Sequence, residues 1–190
     1  SEDEYVINLF DKSIQRVKND SEDFFSSYHK VDETKYSKKF LNYLTKKDRA
    51  SAQKMILDLV NEGKDIANIY KNIFMKSLIK TGELWQTNEI TIADEHYNTA
   101  VIQSIIGQLY PNLFKNPPTK KKVFCLSNTE ELHQVGIRMI ADLFTLDSWD
   151  AHYFGEYNTK EFINKSIKKN KPEIIVISTT LSKNIQFVEE

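Results

Sequence analysis

Residues 122–146, KVFCLSNTEELHQVGIRMIADLFTL, decide the fold class predicted for this chain. The stretch opens with a short continuous apolar run and closes with an apolar pattern of helical period, which together predict a buried strand followed by a helix. Two further strands, WDAHYF and EIIVIS, and one further helix, TKEFINKSIKK, follow at 149–154, 173–178 and 159–169. Strands that alternate with helices predict a parallel α/β sheet.

The chain stops at Glu190, inside the region where the next helix of such a sheet would lie. Because three strands make a small sheet, we expect an α/β domain over 122–190 that lacks its C-terminal strands. The stretch FKNPPTKK, rich in proline and lysine, precedes this domain and predicts a linker over 113–121.

The residues before the linker carry the period of helices. Apolar residues recur at i, i+3, i+4 and i+7 along 48–62 and again along 66–85. Weaker patterns of the same kind predict helices at 5–17 and 36–44. We therefore expect an up-and-down, four-helix-type bundle over 47–112, preceded by an N-terminal helical extension over 1–46.

The last helix of the bundle has start and stop signals of its own. Thr91 and Asp94 have the spacing of a capping box, which predicts a helix that begins near Ile92. Pro111 ends the pattern, so the helix should run to about Tyr110.

Composition excludes several classes of function. Lys and Arg number 26 and Asp and Glu 27, and the resulting net charge of -1 argues against direct nucleic-acid binding, which needs a basic excess or patch. The single cysteine, Cys125, excludes an internal disulfide and a zinc site built on several thiolates, and its apolar surroundings predict burial. No apolar run approaches the roughly 20 residues that span a bilayer, and no signal peptide is visible, so we expect a cytoplasmic protein.

The loops after the strands are the expected ligand-binding positions, because ligands of open α/β sheets bind at the carboxyl ends of strands. Neither GxGxxG nor GxxxxGK[ST] follows the first strand, so the common nucleotide-binding patterns are absent. That loop instead carries His133, a potential metal ligand, with Glu131 placed to accept its other ring N–H and Gly136 placed to let the backbone approach a bulky ligand.

One histidine cannot hold a bare metal ion, which needs three or four protein ligands. It can, however, be the axial ligand of a metal already held in a macrocycle. The loop around His133 therefore points to a tetrapyrrole, and the alternative is an exposed loop histidine that binds nothing.

These motifs resemble those of a known family. ELHQVG in the first loop resembles the DxHxxG motif of cobalamin-binding domains, with Glu131 in place of the usual Asp, and STTLS after the third strand resembles their SxL-type motif. The tryptophan of GELW and the Glu-His of ADEH, with nine residues between them, closely resemble a motif of CarH-type adenosylcobalamin photoreceptors and related sensory regulators. The resemblance covers roughly 47–190 and implies a helical cap bundle followed by a flavodoxin-like, Rossmann-like cobalamin-binding domain.

The resemblance also implies roles for individual residues. His133 becomes the lower axial ligand of cobalt, and Glu131 the group that orients it. The residues that line the slot for the displaced nucleotide tail are Ser178, Thr180 and Ser182. The residues over the upper face of the corrin are Trp85, Glu95 and His96.

The helix that begins near Ile92 has a face suited to a ligand or to a close helix neighbour, because the side chains on it are small or polar: His96, Ala100, Gln103 and Gly107. Trp85 supplies a flat indole that could cover an adenine or a corrin edge. The alternatives are that Trp85 is an ordinary core residue and that Glu95 is a first-turn carboxylate that stabilises the helix.

The function that the resemblance implies is a cobalamin-binding sensory domain rather than an enzyme. It would respond to light through adenosylcobalamin and regulate transcription through a partner, a downstream domain or a change of homo-oligomer. Gln86 stands where the best-known photoreceptors carry a second histidine. The alternatives are a corrinoid methyl-carrier protein that uses methylcobalamin, a haem sensor that uses His133 as its iron ligand, and an interaction module without a cofactor.

Overall fold

The computed structural model describes residues 35–114, 117–127, 133–155 and 159–179. These residues fall into two compact units, one that ends at Asn112 and one that begins at Leu113. The helix predicted at 5–17 lies outside the described residues. No helix within the described ranges combines the length and the apolar content that crossing a bilayer requires.

Five α-helices form the first unit, which we call the helical unit. They are α1 at Lys35–Thr45, α2 at Arg49–Asn61, α3 at Ile66–Ile69, α4 at Met75–Gln86 and α5 at Ile92–Leu109, followed by a 3-10 turn at Tyr110–Asn112. A π-helical turn at Tyr70–Phe74 joins α3 to α4, so the single helix predicted over 66–85 contains one wider turn. Helix α1, which the sequence assigned to the N-terminal extension, packs against α2, α4 and α5.

Side-chain caps fix the starts of these helices. Asp48 and Asp65 each accept a hydrogen bond from the backbone N–H three residues later, which satisfies one of the donors left free at a helix start. Thr91 and Asp94 form the predicted capping box, with both reciprocal bonds present. The Lys47 ammonium lies 3.1 Å from an Asp94 carboxylate oxygen and ties the α1–α2 turn to the start of α5.

The apolar faces of the helices meet in one core. Its largest fully buried side chains are Phe40, Leu44, Ile56, Tyr70, Phe74, Ile102, Ile105, Ile106 and Leu109. The rings of Phe40 and Phe74 have centroids 5.5 Å apart, and those of Tyr70 and Phe74 are 5.6 Å apart. The π turn thus contributes both of its aromatic rings to the core.

The second unit, which we call the α/β unit, contains a three-stranded parallel sheet. Its elements are β1 at Lys122–Ser127, α6 at Val135–Leu146, β2 at Asp150–Tyr153, α7 at Lys160–Asn170 and β3 at Ile174–Ser178. The strand order is β2-β1-β3, so β1 is central. The predicted fold class, helices followed by a parallel α/β sheet, is confirmed.

The side chains of β1 alternate between two small cores, one on each face of the sheet. On one face Val123 and Cys125 pack with Ile137 and Ala141 of α6. On the other face the packed residues are Phe124, Leu126, Ile167 and Ile175, which join β1 to α7 and β3. Cys125 is the buried hydrophobe that the sequence predicted, and burial raises the pKa of its thiol to about 12.

Candidate cofactor site

The carboxyl ends of the three strands lie at one edge of the α/β unit. Ser127 ends β1 and is paired in register with Ser178, which ends β3. Tyr153 ends β2, and the Ser127 N–H donates to the carbonyl of Gly155 at 3.0 Å, just beyond it. Because parallel strands bring their carboxyl ends together, this edge is where a ligand of such a sheet would bind.

His133 is exposed and lies between this edge and helix α6. It stands two residues before Val135, the first residue of α6, in a non-helical conformation. The next residue, Gln134, accepts a hydrogen bond from the Tyr153 hydroxyl at 3.0 Å. The imidazole predicted to ligate cobalt is therefore at the surface, on a segment bonded to the end of β2.

Ser127 carries the most informative polar group at this edge. Its side chain is fully buried, yet its hydroxyl has no hydrogen-bond partner among the described residues. Leaving a buried hydroxyl unpaired costs about 1–3 kcal/mol, so such a group in a native protein needs an explanation. A ligand with a polar group at the strand ends would satisfy the Ser127 hydroxyl, and the donor set here fits cobalamin in that respect.

Gly136 lies in the first turn of α6 and is exposed. A Cβ atom built at Gly136 would meet no heavy atom of the described structure within 4 Å. The surface beside it is therefore open enough for a bulky group to approach the backbone, as the sequence predicted for a large ligand.

Several of the predicted site residues lie outside the described residues. They are Glu131, Thr180 and Ser182. The orientation of His133 by Glu131 and the contribution of the two hydroxyl side chains to the tail slot stay predictions. Ser178, the remaining predicted tail-slot residue, is partly buried.

In the helical unit, Trp85 is not a core residue, because 43% of its surface is exposed. It lies in the last turn of α4, before a turn in which Asn88 adopts a left-handed conformation with φ of 58°. The turn is closed by the Asn88 N–H, which donates to the Trp85 carbonyl at 3.0 Å. An exposed indole at a helix end is available to cover a flat ligand.

Glu95 and His96 stand near the start of α5. A Glu95 carboxylate oxygen accepts a hydrogen bond from the Thr99 hydroxyl at 2.9 Å, and the other lies 3.6 Å from Nε2 of His96. The His96 side chain is 71% exposed. Glu95 is also a first-turn carboxylate, so it stabilises the start of α5 whatever ligand it contacts.

The small and polar face predicted on α5 is not part of the core of the helical unit. Its residues are exposed or partly exposed: His96, Ala100, Gln103 and Gly107. The buried face of the same helix consists of other residues, namely Asn98, Val101, Ile102, Ile105, Ile106 and Leu109. The face that the sequence assigned to a ligand is therefore left uncovered by the bundle.

The structure thus groups the described site residues into one set in each unit. The α/β unit holds His133, Gly136 and Ser178, and the helical unit holds Trp85, Glu95 and His96. The sequence missed Ser127 and the Tyr153–Gln134 pair. The one available signal for Ser127 was a polar residue at the end of an otherwise apolar strand.

A bare metal ion has no site among the described residues, since no group of three or more His, Cys, Asp and Glu side chains is placed to hold one. A metal at His133 would need its other ligands from elsewhere, and a corrin or porphyrin supplies four.

Comparison with known proteins agrees with this chemistry. Residues 36–110 match a family described as "B12 binding domain". No curated protein matches the chain. Among solved structures, the chain is similar to the monomethylamine corrinoid protein of Methanosarcina barkeri, with a TM-score of 0.67, 14% identity and coverage of 78% of this chain and 71% of that one.

Two further structures are more distant. The chain has a TM-score of 0.41 and 18% identity to a novel cobalamin-binding protein from Desulfitobacterium hafniense DCB-2, over 78% of this chain and 71% of that one. It has the same TM-score and 14% identity to the methanol:cobalamin methyltransferase complex MtaBC from Methanosarcina barkeri, over 77% of this chain and 57% of that one. Residues 36–110 thus match the B12 binding domain family, and over most of its length the chain shares its fold with a corrinoid protein.

Proposed function

We propose that the chain binds cobalamin and that His133 is an axial ligand of its cobalt. The observation that carries the proposal is the position of His133, exposed beside the carboxyl edge of the sheet in a chain whose helical unit matches the B12 binding domain family. Cobalamin supplies a cobalt ion already held by four ring nitrogens, which is the kind of metal that a single histidine can complete.

Different residues of the α/β unit would contact different parts of the cofactor. His133 donates a ring nitrogen lone pair to the metal, and Glu131 accepts the other ring N–H and so fixes the tautomer. Ser127 and Ser178, paired at the strand ends, offer hydroxyl groups to the polar nucleotide tail. Thr180 and Ser182 extend that slot along the chain after β3.

Within this function, we favour a corrinoid methyl carrier that works with a methyltransferase partner. The support is the shared fold with the monomethylamine corrinoid protein at a TM-score of 0.67. At 14% identity this likeness concerns the fold alone, so the methyl group and the partner belong to the proposal.

A second candidate is a light-responsive sensor that uses adenosylcobalamin. It is favoured by one observation, the exposed Trp85 at the end of α4, because a residue that merely filled the bundle core would be buried. The uncovered face of α5 with His96 supports the same role, since an upper adenosyl group needs room and a flat partner.

Cobalamin binding is tested by adding hydroxocobalamin to the purified chain and recording the visible spectrum after removal of free cofactor. We expect the wild type to retain cobalamin with His133 as the nitrogen ligand, and His133→Ala to retain less cofactor and to leave the cobalt with the base of the cofactor's own nucleotide tail. His152→Gln, which changes a histidine in the middle of β2, is the matched control and should keep the wild-type spectrum. A wild-type protein that retains no cobalamin would overturn the proposal, and retention of haem instead would establish the haem sensor.

The two candidate roles separate on Trp85→Phe. For a methyl carrier, retention of methylcobalamin should change little. For an adenosyl sensor, retention of adenosylcobalamin in the dark should fall, and illumination of the wild type should change both its spectrum and its oligomeric state. A wild type whose spectrum and oligomeric state do not respond to light would exclude the sensor.

A further inference from the structure

A hydrogen bond links Gln134, the residue after His133, to the end of β2. The Tyr153 hydroxyl at the end of β2 donates to Oε1 of Gln134 at 3.0 Å, and 19 residues separate the two along the chain. Gln134 occupies an x position of the DxHxxG-like motif ELHQVG, and Tyr153 belongs to none of the motifs that carry the resemblance.

Gln134 is held by two hydrogen bonds, one to its main chain and one to its side chain. It directly precedes α6, and its side chain makes no capping hydrogen bond to that helix. Its carbonyl accepts from the Arg138 N–H at 3.0 Å, which anchors its main chain to α6. With its side chain held by Tyr153 as well, Gln134 is fixed at two points, and His133 shares a peptide bond with it.

Tyr153 is itself held firmly. It pairs with Cys125 of the central strand, and the next residue, Phe154, donates its N–H to the Cys125 carbonyl at 2.9 Å. The chain then turns at Gly155, whose φ of +69° favours glycine, and the Gly155 carbonyl accepts from Ser127. The Tyr153 hydroxyl therefore projects from a backbone that β1 fixes on both sides of the residue.

We propose that Tyr153 and Gln134 are positioning residues for His133: their hydrogen bond restricts the main chain beside His133 and so presents its imidazole to the cobalt in one orientation. This inference rests on the cobalamin site proposed above. Without the bond, Gln134 keeps its main-chain anchor to α6 and loses its side-chain anchor to β2, so His133 samples more orientations. Ligation would then be weaker by the net value of one partly exposed hydrogen bond, about two- to tenfold.

The first test needs no cofactor. In the cofactor-free protein, nitrogen-15 relaxation reports picosecond-to-nanosecond motion of the His133 and Gln134 amides. Tyr153→Phe, which keeps the ring and removes only the hydroxyl, should lower the order parameters of both amides. Tyr36→Phe is the matched control, since Tyr36 is an exposed tyrosine of α1, and it should leave them unchanged. Unchanged order in Tyr153→Phe overturns the inference, whatever the protein binds.

The second test uses the cobalamin-loaded protein at one fixed pH. The visible spectrum gives the ratio of histidine-ligated to unligated cobalt, and this ratio should fall about two- to tenfold in Tyr153→Phe and in Gln134→Leu. The double variant should be no worse than either single variant, because both remove the same bond. Additive losses in the double variant would overturn the proposed role of the Tyr153–Gln134 bond. A wild type that binds no cobalamin would overturn the proposed function, and the relaxation test would still decide whether the bond orders His133.

Discussion

Each unit buries a serine hydroxyl that has no hydrogen-bond partner among the described residues, and the two hydroxyls have different surroundings. Ser77 lies within α4, with helix residues on both sides, whereas Ser127 is the last residue of β1. Ligands of open α/β sheets bind at the carboxyl ends of strands, so we expect a ligand at the Ser127 hydroxyl and none at the Ser77 hydroxyl.

One further pair of buried polar side chains agrees with this contrast. In the helical unit, the Asn98 amide donates to the Thr81 hydroxyl across the contact between α4 and α5, at 3.4 Å. That bond lies between two helix faces and needs nothing from outside. At the strand edge, by contrast, Ser127 and Ser178 lie in register at the carboxyl ends of β1 and β3. An unpaired hydroxyl is thus informative about function only together with its place in the fold.

The largest effects should come from core truncations that test whether the two units are independently stable. Phe124 of β1 and Phe74 of the π turn are both fully buried, and replacing either by alanine should lower the free energy of unfolding of its own unit by about 3–5 kcal/mol. Denaturant unfolding followed by tryptophan fluorescence separates the units, because Trp149 lies in one and Trp85 in the other. If Phe124→Ala shifted both transitions equally, the chain would unfold as one body and the comparison would fail.

A smaller effect should distinguish the two serines. Ser127→Ala should weaken cobalamin retention about three- to tenfold and leave the free energy of unfolding unchanged or slightly raised, because the lost hydroxyl had no protein partner. Ser77→Ala should leave retention unchanged and raise the free energy of unfolding by about 1 kcal/mol, since a buried unpaired hydroxyl is removed. Equilibrium dialysis and denaturant unfolding measure the two quantities. The same response in both variants would contradict the different meanings assigned to the two residues.

The next effect is a pH dependence confined to the helical unit. Hydrogen bonds from Thr91, and then Lys47, lower the pKa of Asp94 from 3.8 to about 2. Because the folded-state pKa is the lower one, the carboxylate stabilises the unit above pH 4, and this contribution is lost as the pH falls from about 4 to about 2. Asp94→Asn should remove that part of the acid sensitivity of the Trp85 transition and leave the Trp149 transition unaffected. An unchanged acid dependence in the variant would show that the capping box does not produce it.

The smallest effect concerns the chemistry of the α/β core. Since burial raises the pKa of Cys125 to about 12, its thiolate is scarce at neutral pH and the folded protein should react with iodoacetamide only negligibly. Labelling should appear at the denaturant concentration that unfolds the α/β unit, which Trp149 reports, and not at the concentration that unfolds the helical unit, which Trp85 reports. Rapid labelling of the folded chain, followed by mass spectrometry, would contradict the core packing described for β1.

Much of the fold was predictable because its signals are local. The apolar runs of β1 and β3 and the period of α6 are visible in a few neighbouring residues each, and the capping box of Thr91 and Asp94 needs only four. The π turn was not predicted, because the apolar residues before and within it also fit the period of an uninterrupted α-helix. The Tyr153–Gln134 bond and the unpaired Ser127 hydroxyl depend on which strands lie side by side, which the pattern alone does not specify.

The candidate site was likewise predictable in part. The resemblance placed Trp85, His96 and His133 at the cofactor, and the structure leaves all three side chains exposed. The family match over 36–110 supports cobalamin as the ligand. The finer likeness to CarH-type photoreceptors stays a prediction, because the fold shared with a corrinoid protein does not distinguish a sensor from a methyl carrier. One fold hosts several functions, and residues at the cofactor decide between them.

The π turn has a consequence for how this chain can tolerate insertions and deletions. A π turn holds one residue more than an α turn, so removing one residue from Tyr70–Phe74 would restore α-helical hydrogen bonds and leave the following helix in its present rotation. Successive residues of an α-helix are rotated by about 100° around the axis, so removing one residue from α4 before Trp85 would instead turn the indole by that angle. A one-residue change of length should therefore preserve the direction of the exposed indole when it falls in the π turn and change it when it falls in α4.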